Sequence, residues 1–388
     1  MTALEHFWHQ LEQHVQQRPD KIALADEQGS IAYADLSTEV QQRADRLRAL
    51  GCRCVALALN NGRDWLLWDL AILRAGLTCV PIAPFFTAAQ RRHLLHTAGV
   101  DTLIGLPDDG VLMREQGFAS TSLGWQRAPF GVGMPAGTAK ITFTSGTTGT
   151  PKGVCLSAEA MLQVADSLRD ACSSLDPQQH LILLPLAVLL DNLGAYTALL
   201  NGASITVPAD SGLHGSQLDM PRLLQVLNQH QPHSLILVPQ LLQALLQAAD
   251  AGAPLPQSLR FIAVGGGRVA PALLERATQL GLPVFEGYGL SECASVVCLN
   301  RPGYQRAGTV GKPLPHVDIK LADDGEILVR GARALGYLGE PASSDEYWPT
   351  GDLGRLEDGY LSILGRKKNQ FITAYGRNVN PEWVEAEL

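Results

Sequence analysis

The chain is expected to be an α/β protein built on largely parallel sheets, with a small β-rich region towards its C-terminal end. Before Asn300, short apolar runs at 55–59, 181–184, 235–238 and 261–264 recur, and most are followed by stretches of helical periodicity at 63–74, 221–230 and 270–280. Strands that alternate with helices pair in parallel, because each crossover helix carries the chain back across the sheet. After Asn300 the texture changes to short runs at 317–321, 326–330 and 360–364, broken by Gly, Asp and Pro, with no helix-length segment until Pro381.

Taken in order, residues 1–20 mix His, Glu and Gln with apolar residues at helical spacing and lack the uninterrupted apolar segment of a secretory signal, so cytoplasm is the expected compartment. The Gly-, Pro- and Ala-rich stretch 107–138 is the best linker candidate. Residues 181–200 are the most apolar in the chain, but Pro185, Asp191 and Asn192 interrupt them, so a buried strand followed by a helix is expected and no transmembrane segment. With 388 residues, 46% hydrophobic and 18% charged, the chain can bury a large core and form more than one structural unit. The net charge of −8, from 30 basic and 38 acidic groups, argues against nucleic acid as a partner, since no long Lys/Arg block offsets the deficit. Seven scattered cysteines without Cys-x-x-Cys pairs read as free, mostly buried thiols. His6/His9 and His93/His96 stand three apart in polar helix-like stretches without a third ligand nearby, which disfavours a metal site.

The most informative stretch is Thr144-Ser145-Gly146-Thr147-Thr148-Gly149-Thr150-Pro151-Lys152-Gly153. It lies between two apolar runs, as a turn between strands would, and its glycines let several amides converge on one anion while hydroxyls and Lys152 add donors and positive charge. A flexible Ser/Thr-rich surface loop has the same composition; the lysine after proline favours the phosphate reading. Pro151 before and Gly153 after that lysine set it apart from a Walker A loop. Farther on, Tyr288-Gly289-Leu290-Ser291-Glu292 places an aromatic ring and a carboxylate on one turn at a sheet edge. The ring can stack on adenine, and the carboxylate suits Mg²⁺, a hard cation that prefers oxygen. Gly265-Gly266-Gly267-Arg268-Val269-Ala270, with Glu286 at the end of the next strand, also fits a dinucleotide fingerprint, so an NAD-dependent oxidoreductase is a remote alternative. The Gly-x-Ser-x-Gly elbow of hydrolases is absent.

The ten residues from Thr144 resemble the signature of the adenylate-forming superfamily, which contains acyl-CoA synthetases, luciferases and the adenylation domains of peptide synthetases. The resemblance extends in the family's order through Tyr288 to Glu292, with Ser291 in place of threonine, Thr350-Gly351-Asp352, Gly365-Arg366-Lys367-Lys368, and the loop at Gly376. It implies a large N-terminal AMP-binding domain, 1–365, of two mainly parallel α/β subdomains plus a small distorted β-barrel, and then a hinge and the start of a truncated C-terminal lid, 366–388. It also implies ATP-dependent activation of a carboxylic acid to an acyl-adenylate, then thioester formation with coenzyme A or a carrier phosphopantetheine, possible partners being acyl or peptidyl carrier proteins.

By that resemblance Thr144, Ser145, Gly146, Thr147, Thr148, Gly149 and Lys152 hold the β- and γ-phosphates, with Thr144, Lys152 and Glu292 serving catalysis and Glu292 the metal. Gly265, Gly266, Gly267, Tyr288, Gly289 and Ser291 approach adenine and the acyl group. Asp352 and Arg366 take the ribose, Lys368 is the hinge pivot, and Gly376 belongs to the thioester loop. Gly308-Thr309-Val310-Gly311 and Gly325-Glu326-Ile327 match as scaffold. Where many relatives place an aromatic-histidine pair, this chain has Ala187-Val188, with Leu189, Leu190 and Leu193 nearby. These favour a medium or long acyl chain over a compact polar acid, although the leucines also suit plain core. Alternatives are an amino- or aryl-acid adenylation domain, Asp191 being a candidate to meet an amino group, and a catalytically impaired ATP- or AMP-binding protein.

Overall fold

A computed structural model describes residues 1–105, 110–144, 151–214, 217–369, 371–372 and 378–379. Two large sheets form its frame. The first has nine strands, whose central members Ile22–Asp26, Ser204–Thr206, Gln179–Leu181, Ser234–Leu237, Phe261–Val264 and Val284–Tyr288 all run parallel, with antiparallel strands at both edges. The second has eight strands and a parallel centre, Thr102–Ile104, Cys54–Leu57, Thr78–Pro81 and Thr138–Thr144. Beyond them Val317–Leu321, Glu326–Gly331, Trp348–Glu357 and Tyr360–Arg366 make a four-stranded antiparallel sheet, the β-rich unit expected from the broken texture after Asn300.

One helical layer packs between the two large sheets. The helix Ala3–Gln17 starts on a capping box in which Thr2 and Glu5 satisfy each other's backbone amides, and it buries Phe7 and Leu11, four apart on one face. Tyr33–Ala49 buries Leu36, Val40, Ala44 and Leu47 at the same spacing. Arg63–Ala75 and Leu189–Leu200 are buried nearly all round, as central helices must be, and the first ends on Gly76 at φ 71°. Phe261 and Ala263 face this shared core whereas Ile262 and Val264 face the opposite cluster, so period-two alternation sets which side of the nine-stranded sheet each residue serves.

Part of the expected linker at 107–138 is regular structure. Its helix Gly110–Glu115 and strands Ala119–Thr121 and Gly124–Gln126 complete the edge of the eight-stranded sheet, where Trp125 pairs with Leu103. Small residues that read as linker composition here permit close backbone approach: a Cβ on Gly124 would stand 2.3 Å from the Leu103 carbonyl. All seven cysteines are free and buried. Among the described residues no helix is long and apolar enough to cross a membrane, and no cluster of three metal-ligating side chains occurs.

Candidate active site

The strands Thr138–Thr144 and Lys152–Ser157 form an antiparallel hairpin in which Thr144 pairs with Lys152, so the donor-rich stretch is the connection between two strands, as its flanks indicate. Ser145, Gly146, Thr147, Thr148 and Gly149 lie outside the described residues, and so does Gly376. The half-exposed Lys152 ammonium stands 5.0 Å over the ring of Tyr337 and 3.6 Å from Glu340. Tyr337 arrives there because the short strand Gly336–Tyr337 adds to the outer edge of the hairpin, opposite Cys155 and Val154. Its hydroxyl donates to Glu292 Oε1 at 2.9 Å. Burial, reinforced by the Glu292 charge, pushes the Tyr337 phenol well above its ordinary range, so it stays a donor. One tyrosine therefore joins the lysine expected to hold phosphate and the carboxylate expected to hold the metal.

Glu292 sits in a single 3-10 turn, Ser291–Cys293, directly after the strand Val284–Tyr288. The tightness of this turn requires Gly289: a Cβ there would stand 1.6 Å from the Ser295 carbonyl oxygen, which no side chain can occupy. Tyr288 sends its hydroxyl to Asp352 Oδ2 at 2.6 Å, and Arg366 Nε meets the other oxygen at 2.9 Å. Asp352 is no turn residue. It lies inside the ten-residue strand Trp348–Glu357, opposite Arg366 in register, just before a bulge at Leu353/Gly354. Glu326, read as scaffold, does hold this strand in place: it accepts from the Gly351 amide at 2.9 Å and from Lys367 at 2.8 Å. Lys368 is exposed, one residue into the 3-10 turn Lys367–Asn369 that follows the last long strand.

Two cavities open against this framework. The first, about 240 Å³, is lined by Gly266, Gly267, Glu286, Tyr288, Asp352 and Arg366 among others. Gly308, Thr309 and Val310 also line it, so a stretch read as scaffold contributes to the wall. Burial pushes the Glu286 carboxyl up to about 7 although the Val269 amide holds it down in part. The second cavity, about 440 Å³, is mainly apolar, with Phe86, Phe143, Ala187, Val188, Leu189 and Leu190 on its wall. Both cavities share Gly266, Gly287, Tyr288 and Gly289, so they meet at a wall of three glycines and one tyrosine. Gly265 and Ser291 face the apolar side. Gly266 has φ +79°, a left-handed conformation that glycine adopts without strain. Such a wall lets backbone amides reach two ligands from opposite sides. Its residues fit a nucleotide: a ribose-sized space flanked by a fixed carboxylate and guanidinium, with glycines where side chains would fill the cradle.

One expectation needs correction. Asp191 does not face the apolar cavity; it is fully buried, and its Oδ2 accepts from the amides of Leu183 and Leu184 at 3.1 and 2.8 Å, which closes the turn before the helix Leu189–Leu200. Leu193 is core, whereas Leu189 and Leu190 line the cavity. Lys152 and Glu292 border neither cavity and are joined through Tyr337 instead. Nothing about Tyr337 in sequence marks it beyond a Gly-Tyr pair in a loop; only strand addition brings it between the two motifs.

Comparison with known proteins gives a family and close company. The family model described as AMP-binding enzyme matches residues 11–339. The chain is similar to 2-succinylbenzoate–CoA ligase of Bacillus pumilus, 28% identical over 95% of this chain and 80% of the relative. It is also similar to a long-chain-fatty-acid–CoA ligase of Mycobacterium bovis, 27% identical over 92% of this chain and 73% of the relative. Among solved structures, o-succinylbenzoate coenzyme A synthetase from Bacillus subtilis, in complex with ATP and magnesium ion, superposes with a TM-score of 0.75 at 25% identity, covering 95% of this chain and 82% of that one.

Proposed function

The chain belongs to the AMP-binding enzyme family, as an adenylate-forming acid–thiol ligase that uses ATP, Mg²⁺ and coenzyme A, and we propose that its acid is an apolar one of medium or long acyl chain. The observation that supports this reading most is the meeting of a cavity walled in part by Glu286, Asp352 and Arg366 with a mainly apolar one at Gly266, Gly287, Tyr288 and Gly289. An acid lying in the apolar cavity with its carboxylate at that wall faces whatever lies across it. With the ribose against the Asp352–Arg366 pair, the α-phosphate comes to the same wall.

Activation then needs position and charge, since an in-line displacement at phosphorus leaves little covalent work for the protein. The carboxylate oxygen attacks the α-phosphorus, the bond to the bridging oxygen breaks, and pyrophosphate leaves. Thr144, the hydroxyls and amides of the loop that follows it, and Lys152 hold the departing phosphates. Glu292 offers a carboxylate oxygen, the donor type that Mg²⁺ prefers, and Tyr337 fixes its direction. The bound Mg²⁺ offsets charge on the phosphates. Asp352, steadied by Tyr288 and Arg366, orients the sugar. In the second half-reaction the thiol of coenzyme A attacks the mixed anhydride and AMP leaves; a carrier pantetheine is the other acceptor this chemistry serves. The Lys368 hinge would let the following segment approach for that step, and we assign the activity to the cytoplasm.

An aryl acid is the second reading, because Phe85, Phe86 and Phe143 line the same cavity and offer ring contacts that a plain chain does not require. An amino acid fits poorly, with Asp191 engaged elsewhere. Acid-dependent pyrophosphate release over a panel of fatty, aryl and amino acids is the direct test. Lys152→Ala and Glu292→Ala should each weaken ATP·Mg binding by about 1.5–3 kcal/mol, the range for hydrogen bonds to charged groups. Unchanged binding in both variants would refute the roles assigned to them, and stabilisation by NAD without stabilisation by ATP·Mg would revive the oxidoreductase reading.

A further inference from the structure

We propose that the acid cavity continues into a rear chamber that receives the far end of the substrate and selects acids carrying a hydrogen-bonding group, such as a hydroxyl, at that end. This rests on the apolar-acid reading above. The chamber, about 50 Å³, shares Leu168, Ile236 and Ala263 with the acid cavity, so those three side chains form the neck between front and rear. Its floor is the same face of the nine-stranded sheet: Ser234 and Ile236 alternate on one strand, Phe261 and Ala263 on the next. Its roof comes from the helices Ala158–Cys172 and Leu189–Leu200. A chain entering at the glycine wall and running along the sheet passes the neck and meets His180.

The rear end is chemically unlike the front. His180 is 5% exposed, and its Nδ1 is 3.0 Å from Ser234 Oγ. Among the described residues its Nε2 has no partner, and neither has Asp191 Oδ1, which stands 3.9 Å away. That separation is too long for a hydrogen bond between them. Leaving two such atoms buried and unpaired costs about 1–3 kcal/mol each, so a partner placed between them is favoured. Gly194 keeps the space open. A Cβ on it would stand 3.1 Å from His180 Nε2, 3.5 Å from Asp191 Oδ1 and 2.6 Å from Ile236 Cδ1, at once filling the gap between the polar atoms and pressing on the neck. A hydroxyl satisfies both atoms at once when Nε2 carries the proton, accepting from the imidazole and donating its one O–H to the carboxylate. A terminal methyl would leave both atoms unsatisfied.

Calorimetric titration of the full chain with straight-chain acids of increasing length, each in a methyl-ended and a hydroxyl-ended form, tests this. Once the chain is long enough to pass the neck, the hydroxyl-ended acid should bind about tenfold more tightly than its methyl-ended partner, the gain expected from one well-made buried hydrogen bond. In Gly194→Ala that preference should vanish and the length limit should shorten, while a short acid confined to the front cavity binds as before. Equal affinity of the two forms at every length in the native chain would overturn the chamber, and so would an unchanged preference in the variant. The native comparison decides the matter even where the variant misfolds. If short acids bind and the terminal group makes no difference, only the chamber fails; if no acid of any length binds, the apolar-acid reading fails with it.

Discussion

Lys140→Met is the perturbation whose consequence can be worked out furthest. Lys140 and Asp69 form an ion pair of 2.8 Å with side chains 3% and 0% exposed, in the helical layer between the two large sheets. The ammonium also donates to Asn192 Oδ1 at 2.5 Å and approaches the Tyr196 hydroxyl at 3.2 Å. Asp69 Oδ2 accepts from both of those side chains, at 2.9 and 2.6 Å. Methionine replaces the lysine stem at similar volume but removes the only cation in this network, leaving a buried carboxylate with neutral donors and Asn192 Oδ1 without its donor. Breaking one partner of a buried pair costs about 3–5 kcal/mol. At about 2–4 °C per kcal/mol for large domains, the melting temperature should fall by roughly 6–20 °C.

The control that gives the argument its force is Lys140→Met combined with Asp69→Leu. Replacing a whole buried pair by apolar side chains is often close to neutral, so the double variant should recover most of the lost stability. Thermal unfolding by circular dichroism, run on the native chain, both single variants and the double, measures all four corners. A single variant within about 1 kcal/mol of native, or a double variant no better than Lys140→Met, would refute the assignment of this cost to an uncompensated charge. The network also has a functional reach. Lys140 lies on the strand that ends at Thr144, and Asn192 lies on the helix whose first turn lines the acid cavity. The single variant should therefore weaken acid binding well below its melting temperature.

Tyr337→Phe keeps the ring beneath Lys152 and removes the hydroxyl that Glu292 accepts, so the Mg²⁺ concentration needed for half-maximal pyrophosphate release should rise about tenfold, the lower end for a hydrogen bond to a charged group, with KM for the acid unchanged. Glu286→Gln should stabilise the chain more at pH 8 than at pH 5: burial holds the Glu286 carboxyl up to about 7 against an ordinary 4.5, so the native state binds the extra proton and its stability falls as pH rises through that window. Asp191, also pushed up to about 7, contributes the same sign, and His180 and His316, held down to about 4, contribute the opposite sign between about 4 and 6.5, which is why the melting-temperature difference between variant and native at each pH is the quantity to compare.

What the sequence revealed and what it concealed divide along a physical line. Motifs that carry their own chemistry were legible, because the residue types are unusual for their surroundings. A threonine and glycine run between apolar strands, a Tyr-Gly at a strand end and a carboxylate beside glycine all stand out, and the structure puts Thr144 and Lys152 at facing ends of one hairpin and Asp352 beside Tyr288 and Arg366. The alternation of apolar runs and helices likewise gave the parallel centres of both sheets, since side-chain period follows directly from backbone geometry. The antiparallel edges were not legible, nor were the helix and strands within 110–126, where Gly124 serves close strand approach.

Positions whose role comes from tertiary placement were invisible. Tyr337 is an unremarkable tyrosine until strand pairing seats it between Lys152 and Glu292. Thr309 becomes cavity wall because the chain returns past Val284–Tyr288. Asp191 shows the converse: by resemblance to amino-acid-activating relatives it reads as a substrate contact, yet from the first turn of its helix it gives one oxygen to the two amides of Leu183 and Leu184. Burying a carboxylate is tolerable only where such donors exist, and those donors belong to a turn that no local pattern foretells. The other oxygen, left without a hydrogen-bond partner among the described residues, is then a product of the same turn: the geometry that keeps Asp191 off the acid cavity is what sets its carboxylate beside His180 on the chamber wall.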